Sequence, residues 1–496
     1  MATEGLFNGL LGSVLGSRGL GMAEKYDAIV VGTGFASSFF LHRLLGGLEA
    51  SARVLVLEAG QRLPHSWQLS HPKGLEKLAN DTFINRTPEK PWIVQRAFGG
   101  GSNCWWACTP RLLPNDFRLR STYGVAKDWP ISYDDLEEFY CQAEELMAVA
   151  GPSADSPFPR SRPYPLPAHH MSDPDKLLKQ AFAESFFAQP TARPSQTVQG
   201  KRPRCCNNGV CHLCPIDSKF TILNSMQQVY HDARVQLELN AQVQSVDTQN
   251  GLATGVQFLR DGRERMARGD LVALGASAIF NPHILLRSGL DHPQLGRNLH
   301  EQTSIKANVL LDGVDNFQGG TSITGHGYML YDGPHRREHP AILLETWNVP
   351  RLRDERGKWR QLLKLMCIIE EYPQHENRVE IAAEDPTRPA IIYESRASDT
   401  AKAVAHLKQE LPKIMSKLPV EDVIVSNEFK KTEAHVLGTV VMGDDPDHSV
   451  VDRHLIHHQV RNLLVLGGSA FPTSSPSNPT LTLSALSLWA AEHLMR

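Results

Sequence analysis

The sequence predicts an α/β fold, α+β overall, with a parallel sheet that begins near the N-terminus and a second sheet later in the chain. A buried strand at residues 26–34 runs into a glycine turn, and a helix and a second apolar strand ending at Glu58 complete a βαβ unit. Residues 301–430 alternate strand-like and polar stretches, which indicates the second sheet. The C-terminus reads as a strand, a loop and a helix.

The composition is typical of a soluble globular protein. The chain has 496 residues, of which 41% are hydrophobic and 21% charged, enough for two domains or one interwoven unit. Its 51 basic and 54 acidic residues leave a net charge of -3, so no basic footprint for nucleic acid exists. No apolar run is long enough for a direct membrane span.

The segment 1–25 is expected to be a flexible leader. It is rich in glycine and lacks the basic start and cleavage site of a secretion signal, and Met22 is an alternative first residue. We therefore expect a cytoplasmic protein, or a periplasmic one if a partner subunit carries the chain out.

The middle of the chain is less regular. Residues 96–117 form a loop rich first in glycine and then in tryptophan, and a helix at 132–149 opens with Ser132 and Asp135 in a capping-box arrangement. Residues 151–204 hold many prolines and are expected to wrap around the protein. Beyond them the sequence predicts strands around 235–246, 253–259 and 270–275 and a helix at 281–288.

The first glycine turn is typical of a dinucleotide site. Gly32, Gly34 and Ser37 follow the Gly-x-Gly-x-x-Gly pattern with a small residue in third place, which lets a helix N-terminus approach a pyrophosphate. Glu58, at the end of the next strand, is placed to bind ribose hydroxyls. A turn without a ligand is the alternative, and the pattern does not separate FAD from NAD.

Five segments resemble the glucose–methanol–choline (GMC) oxidoreductase family: residues 99–102, 435–443, 449–452, 462–472 and 478–480. The resemblance extends over about residues 26–496. Residues 114–117 and 128–130 look like bacterial FAD-dependent sugar dehydrogenase catalytic subunits, and residues 104–110 and 301–302 look like pyranose 2-oxidase.

The resemblance implies a Rossmann-type FAD-binding domain assembled from separated segments, with a sheet-based substrate domain. The expected boundaries are a leader at 1–25, FAD-binding parts at 26–118, 201–300 and 431–496, a wrapping segment at 119–200 and a substrate domain at 301–430. The implied activity is oxidation of an alcohol group on a sugar or glycoside. The alternatives are an oxidase that produces hydrogen peroxide and a flavin-binding or electron-transfer protein without turnover.

The resemblance also implies the cofactor-binding residues: Gly32, Gly34, Ser37, Glu58, Gly100, Gly101, Ser102, Cys104, Val243, Gly468, Ser469, Pro479 and Thr480. Cys104 stands where sugar-oxidising relatives carry a histidine that pyranose 2-oxidase bonds to its flavin. A thioether to the flavin is one interpretation. A small packed residue beside a non-covalent flavin is the other, and we prefer it because buried free cysteines are common.

His435 and Asn478 are the expected catalytic pair. Oxidation of an alcohol requires a base for the hydroxyl proton, and histidine suits that task near neutral pH. The resemblance assigns this task to His435. Asn478 can hold the substrate oxygen but cannot take the proton. We also expect Asn478 to be the N-cap of the last helix, with Pro479 as its first residue.

Four cysteines fall within ten residues, at 205, 206, 211 and 214. The resemblance to sugar dehydrogenases implies an iron–sulfur cluster on Cys206, Cys211 and Cys214, with Cys205 as a substitute ligand. Zinc held with the help of His212, and thiols without a metal, are the alternatives. A cluster would imply an electron-accepting protein or small subunit as a partner.

Overall fold

The computed structural model describes residues 24–74, 79, 81–349 and 351–495. Met22 and the predicted leader, except for its last two residues, lie outside the described residues.

The helices are α1 (Phe35–Leu45), α2 (His65–Ser70), α3 (Leu119–Tyr123), α4 (Tyr133–Met147), α5 (Asp173–Ala181), α6 (Ile222–Ser225), α7 (Gln227–Tyr230), α8 (Ser277–Arg287), α9 (Asp399–Met415) and α10 (Thr480–Leu494). The strands are β1 (Lys25–Val31), β2 (Val54–Leu57), β3 (Ile84–Asn85), β4 (Ala150–Gly151), β5 (Leu166–Pro167), β6 (Phe186–Ala188), β7 (Val235–Glu238), β8 (Ala241–Gln249), β9 (Leu252–Arg260), β10 (Arg263–Leu274), β11 (Thr303–Leu311), β12 (Ile323–Leu330), β13 (Ile342–Trp347), β14 (Leu362–Ile369), β15 (Arg378–Ile381), β16 (Pro389–Ile392), β17 (Val420–Phe429), β18 (Ile456–His457) and β19 (Val460–Val465).

An eight-stranded sheet is assembled from three separated parts of the chain. Its order is β18-β19-β10-β1-β2-β7, with β9 beside β10 and β8 beside β9. Strand β10 runs parallel both to β1 and to the C-terminal β19. The buried apolar runs of β1 and β2 are those of parallel strands covered on both faces. This confirms the predicted fold, a sheet of the Rossmann type built from distant segments.

Helices from both ends of the chain cover this sheet. Helix α1 packs on α10, and α10 packs on α4. An ion pair between Arg43 and Glu492 joins α1 to α10. Helix α4 begins as predicted, since Ser132 accepts the backbone N–H of Asp135 and the Asp135 carboxylate returns to Ser132.

The second sheet is antiparallel and has six strands in the order β17-β11-β14-β13-β12-β6. Apolar residues of one face pack beneath α9 and α5. The opposite face, called the inner face below, carries the alternate side chains. They include Phe187, Ser304, Lys306, His326, Tyr328, Leu343, Glu345, Trp347, Lys364, Met366 and Ile368.

The two longest helices that the sequence did not predict are α5 and α9; the short helices α2, α3, α6 and α7 were also not predicted. Helix α5 lies inside the segment expected only to wrap, and α9 lies inside the region expected to alternate strands with polar stretches. Smaller sheets join β3 to β16 and β15, and β4 to β5. The exact domain boundaries stay a prediction.

Candidate active site

The first glycine turn has the shape that a dinucleotide site needs. Gly32 adopts a φ of +87°, and its N–H donates to the Leu57 oxygen at 2.8 Å. A Cβ at this position would lie 2.8 Å from the Gly275 oxygen. Glycine is therefore required where β1 meets α1.

The N-terminus of α1 is open. Gly34 is its N-cap, no side chain caps the helix, and no acidic residue lies in its first turn. A Cβ on Gly34 would meet nothing within 4 Å. Ser37 points inward and donates to the Val31 oxygen at 2.9 Å. The N–H groups that no side chain caps, together with the helix dipole, suit an anion such as a pyrophosphate.

A second glycine loop packs against the first. The Gly99 N–H donates to the Thr33 hydroxyl at 3.0 Å, and a Cβ on Gly100 would lie 3.3 Å from the Gly34 Cα. Ser102 closes the loop by donating to the Gly99 oxygen at 2.6 Å. Gly101, by contrast, is exposed and faces open space. The two loops therefore lie in contact at the N-terminus of α1.

Glu58 keeps acceptor capacity at the end of β2. Its carboxylate accepts the N–H and hydroxyl of Thr33 at 3.0 and 2.7 Å and the N–H of Gly60 at 2.7 Å. A carboxylate has about four acceptor positions, so one is left for a ligand. Burial raises the pKa of Glu58. Strand β8 starts beside Glu58, because the Ala241 N–H donates to the backbone carbonyl oxygen of Glu58 at 2.9 Å. Val243, two residues further along β8, is buried in the core.

The loop after β19 brings Gly468 and Ser469 beside the segment that contains His435. The N–H groups of Gly438 and Val440 donate to the oxygens of Gly468 and Ser469, both at 2.9 Å. A Cβ on Gly468 would lie 2.9 Å from the Val436 oxygen. The Ser469 hydroxyl accepts a hydrogen bond from the Asn281 side-chain amide at 2.9 Å, so this hydroxyl is bonded to another residue of the protein.

The predicted cap of the last helix is wrong. Helix α10 begins at Thr480, its N-cap is Pro479, and no side chain caps it. Asn478 lies one residue before the cap position, where its side chain does not reach the helix N–H groups. Among the described residues, its buried Oδ1 has no hydrogen-bond partner. An unsatisfied buried amide is costly unless a ligand completes it.

Hydrogen bonds determine which nitrogen of His435 carries the proton. The Gln302 Nε2 donates to the oxygens of Ser475 and Ser477, both at 2.6 Å. Carbonyl oxygens only accept, so the Gln302 Oε1 is the atom that faces the His435 Nδ1, at 2.6 Å. Nδ1 must therefore donate in the neutral ring, and Nε2 holds the lone pair.

A buried ion pair anchors the backbone around His435. The Lys90 ammonium forms an ion pair with the Glu301 carboxylate, and both side chains are buried. Glu301 also accepts the Thr432 hydroxyl at 3.1 Å and the His435 N–H at 3.3 Å. Glu301 and Gln302 entered the sequence prediction only through the resemblance, and their contacts with the segment around His435 were not predicted. Their spacing from that segment along the chain does not indicate these contacts.

The surroundings keep His435 neutral. Burial lowers its pKa to about 4, with Lys430 acting in the same direction and Glu345 in the opposite one. At neutral pH the ring is therefore a free base whose Nε2 can accept a proton.

The four clustered cysteines do not share a metal-binding arrangement. Cys206 is exposed, Cys211 lies 3.1 Å from the Ser322 hydroxyl, and Cys214 accepts the Ser218 N–H at 3.2 Å. Within the described residues, no three His, Cys, Asp or Glu side chains are grouped to hold a metal ion. The predicted iron–sulfur site, and the zinc alternative, therefore do not fit this arrangement. No disulfide joins any of the eight cysteines.

Cys104 ends the second glycine loop. Its Sγ lies 3.6 Å from the Gly101 oxygen, and the residue is partly exposed. It thus lies next to the exposed Gly101, and the thioether and the packed thiol both stay predictions.

Comparison with known proteins identifies the family. Sequence models of the N- and C-terminal parts of GMC oxidoreductases match residues 26–304 and 373–487. The chain belongs to the GMC oxidoreductase family. As a member of this family it is an FAD-dependent enzyme that oxidises CH–OH groups, as a dehydrogenase or an oxidase.

The curated relatives of this GMC oxidoreductase include dehydrogenases and oxidases. It is 24% identical to the fructose dehydrogenase large subunit of Gluconobacter japonicus, over 95% of this chain and 97% of that protein. It is 23% identical to the gluconate 2-dehydrogenase flavoprotein of Pantoea cypripedii, over 96% of this chain and 95% of that protein. A formate oxidase structure from Aspergillus oryzae superposes with a TM-score of 0.68 at 15% identity, covering 95% of this chain and 98% of that one. Across the part of the chain that the structure describes, no helix has the length and apolar character needed to cross a membrane.

Proposed function

We propose that this GMC oxidoreductase oxidises an alcohol group of a sugar or glycoside, with His435 as the base and Asn478 as the residue that holds the reacting oxygen. The observation that carries the proposal is a pair of side chains connected through Gln302, which accepts from His435 and donates to the Ser477 oxygen next to Asn478. His435 has an unprotonated Nε2, and among the described residues the buried Asn478 Oδ1 has no hydrogen-bond partner, so the Asn478 amide has unused hydrogen-bonding capacity.

The residues around the two glycine loops fit FAD. The open N-terminus of α1 suits the pyrophosphate, and Glu58 has an acceptor position for a ribose hydroxyl. Both features lie at the carboxyl ends of the parallel strands, where open α/β sheets bind their ligands. When bound, FAD supplies the acceptor for the hydride that leaves the substrate carbon.

His435 removes the hydroxyl proton at its Nε2. As the ring becomes positive, its Nδ1–H strengthens the bond to the Gln302 oxygen, because hydrogen bonds from charged donors are about twice as strong. Gln302 cannot turn away without losing its two bonds to Ser475 and Ser477. It therefore acts as a positioning residue. The Asn478 Nδ2–H donates to the substrate oxygen while the proton leaves, because the amide oxygen can only accept a hydrogen bond.

The route by which electrons leave the enzyme is not assigned to an iron–sulfur cluster, because the cysteines do not fit one. An electron-accepting protein is favoured by the relative described as a large subunit, a name that implies a partner for that protein. Direct use of oxygen, with release of hydrogen peroxide, is the second candidate, favoured by the curated relative described as paromamine 6'-oxidase, from Streptomyces fradiae.

Anaerobic mixing with a panel of sugars and glycosides tests the proposal. The wild type should lose its flavin absorption with at least one compound. His435→Ala should retain FAD and be reduced about 10²- to 10⁴-fold more slowly, the usual effect of removing a positioned base. Equal rates in the two proteins would remove His435 from this role. A flavin that no alcohol reduces would refute the function.

A further inference from the structure

A buried loop, residues 473–477, leads into Asn478 and is called the approach loop below. Its hydroxyl groups are all hydrogen-bonded: those of Thr473, Ser474, Ser475 and Ser477. Asn478 has no such contact at its buried Oδ1, which lacks a hydrogen-bond partner among the described residues. The direction of the Asn478 side chain therefore depends on the loop in front of it.

Ser477 is fixed at all three of its polar groups. Its N–H donates to the Ser475 hydroxyl at 3.1 Å, and its carbonyl oxygen accepts from the Gln302 Nε2 at 2.6 Å. Its hydroxyl lies 3.0 Å from the Tyr331 hydroxyl. The carbonyl belongs to the peptide group that joins Ser477 to Asn478, and that group is planar. A fixed Ser477 therefore sets the direction in which Asn478 leaves the loop.

Tyr331 reaches Ser477 from the second sheet. It follows β12, is fully buried, and packs its ring against the Tyr328 ring on the inner face, with 5.2 Å between the ring centres. Burial raises the pKa of Tyr331, so the hydroxyl keeps its single proton. That hydroxyl lies 2.8 Å from the Asp116 Oδ2. A tyrosine that donates to a carboxylate can only accept from a second partner, so Ser477 donates to Tyr331.

Asp116 is itself held firmly. Its Oδ2 accepts the Leu113 N–H at 2.7 Å, and its Oδ1 accepts from the Arg336 guanidinium at 2.8 Å. Although burial raises the pKa of Asp116, the charge of Arg336 acts in the opposite direction and favours the carboxylate. Arg336 also donates to Glu370 at 2.9 Å, and all three side chains are fully buried. Because a buried ion pair is costly to break, Tyr331 is hydrogen-bonded to a rigid partner.

Two segments singled out in the sequence, 114–117 and 128–130, support the approach loop at its two ends. The Trp129 indole N–H donates to the Thr473 hydroxyl at 2.8 Å, at the start of the loop. Asp116 acts on the last residue of the loop through the tyrosine hydroxyl. Both segments therefore help to place the residue that follows the loop.

We propose that Tyr331 is a positioning residue for Asn478, because its hydroxyl holds Ser477 and so directs the Asn478 amide toward the substrate oxygen. This inference rests on the proposed function, in which Asn478 donates to that oxygen. Gln302 holds the carbonyl of Ser477 and also accepts from His435, so the base and the amide share one support. Tyr331 completes that support at the Ser477 hydroxyl and exchanges no proton with the substrate.

A double-mutant cycle tests whether Tyr331 acts through Asn478. Tyr331→Phe removes the hydroxyl and keeps the ring. Anaerobic flavin reduction is measured in the FAD-loaded wild type, Tyr331→Phe, Asn478→Ala and the double variant, with D-glucose, D-fructose, D-gluconate and methyl β-D-glucoside. Tyr331→Phe should slow reduction of the wild type about 3- to 10-fold, the usual effect of one lost hydrogen bond. It should cause no further slowing in Asn478→Ala, because the group that it positions is already absent.

Nitrogen-15 NMR of labelled asparagine gives a second measurement that needs no turnover. The Asn478 side-chain signal is assigned by its loss in Asn478→Ala, and Tyr331→Phe should shift it. Tyr133→Phe is the matched control, because the buried Tyr133 hydroxyl also accepts from an arginine, Arg111, at 3.0 Å and donates to a carbonyl oxygen, that of Pro159. Tyr133→Phe should leave both the Asn478 signal and the rate unchanged.

Ser477→Ala removes the same hydrogen bond from its other partner and should give the same pattern, also if Tyr331→Phe does not fold. Equal slowing by these variants with and without the Asn478 side chain, or an Asn478 signal that neither of them shifts, would overturn the inference and leave the proposed function intact. If no compound reduces the wild-type flavin, or Asn478→Ala is reduced as fast as the wild type, the proposed function fails in that respect. A shifted Asn478 signal then still supports the positioning by Tyr331, and an unshifted one overturns it.

Discussion

Replacement of Gln302 by leucine tests the assignment of the base at the level of a single hydrogen bond. Gln302→Leu removes the oxygen that accepts the His435 Nδ1–H at 2.6 Å and keeps a side chain of similar size. The neutral ring can then move its proton to Nε2, the nitrogen that must accept the substrate proton. The imidazolium formed during the reaction also loses its acceptor.

The expected loss follows from the hydrogen bond that disappears. A hydrogen bond to a charged group contributes about 1.5–3 kcal/mol. With a tenfold change per 1.36 kcal/mol, flavin reduction should slow about 10- to 100-fold. The FAD content should not change, because Gln302 is not among the residues that fit the cofactor.

The assay is anaerobic stopped-flow reduction over a range of pH, together with nitrogen-15 NMR of labelled histidine. Because the pKa of His435 is about 4, the wild-type rate should be level at neutral pH and fall only in acid, as His435 takes up a proton. In wild type the NMR signal should show the proton on Nδ1, and in Gln302→Leu a mixture.

Thr432→Val is the matched control. It removes a 3.1 Å hydrogen bond to Glu301 in the same segment but leaves Gln302 in place. Its tautomer should remain that of the wild type. A Gln302→Leu enzyme with FAD bound, a rate within twofold of the wild type and an unchanged histidine signal would refute the reasoning.

Two further predictions concern the cysteines. Acid precipitation should release the flavin from the protein, because we expect Cys104 to pack beside it without a bond; colour kept in the wild-type pellet and lost in Cys104→Ala would contradict this. Anaerobically purified protein should contain far less than one iron per chain, since Cys211 and Cys214 bond to Ser322 and Ser218 and Cys206 is exposed. Stoichiometric iron and sulfide, with an electron paramagnetic resonance signal, would show that these side chains rearrange around a cluster.

Local sequence patterns predicted the elements whose shape depends on neighbouring residues. The turn at Gly32 is one, because only glycine tolerates both its φ and the close Gly275 oxygen. The capping box at Ser132 is another. The same pattern was present at Ser172 and Asp175, yet the prolines around it led us to expect no helix there.

Errors arose where contacts from elsewhere in the chain decide the outcome. The composition of residues 301–430 favoured strands throughout, but α9 forms because it covers the apolar face of the second sheet. Asn478 has the residue type and spacing of a cap, but the last helix begins one residue later. The cysteine spacing indicated a cluster, but the folded chain directs these thiols to different partners.

The sequence by itself determined the GMC fold, the glycine loops of the FAD site and the identity of His435 and Asn478 as candidates, because each depends on short motifs. Only the tertiary structure decided which nitrogen of His435 is the base. The reason is distance along the chain. Gln302 lies 133 residues from His435, and the carbonyl groups that orient it lie 173 and 175 residues from Gln302.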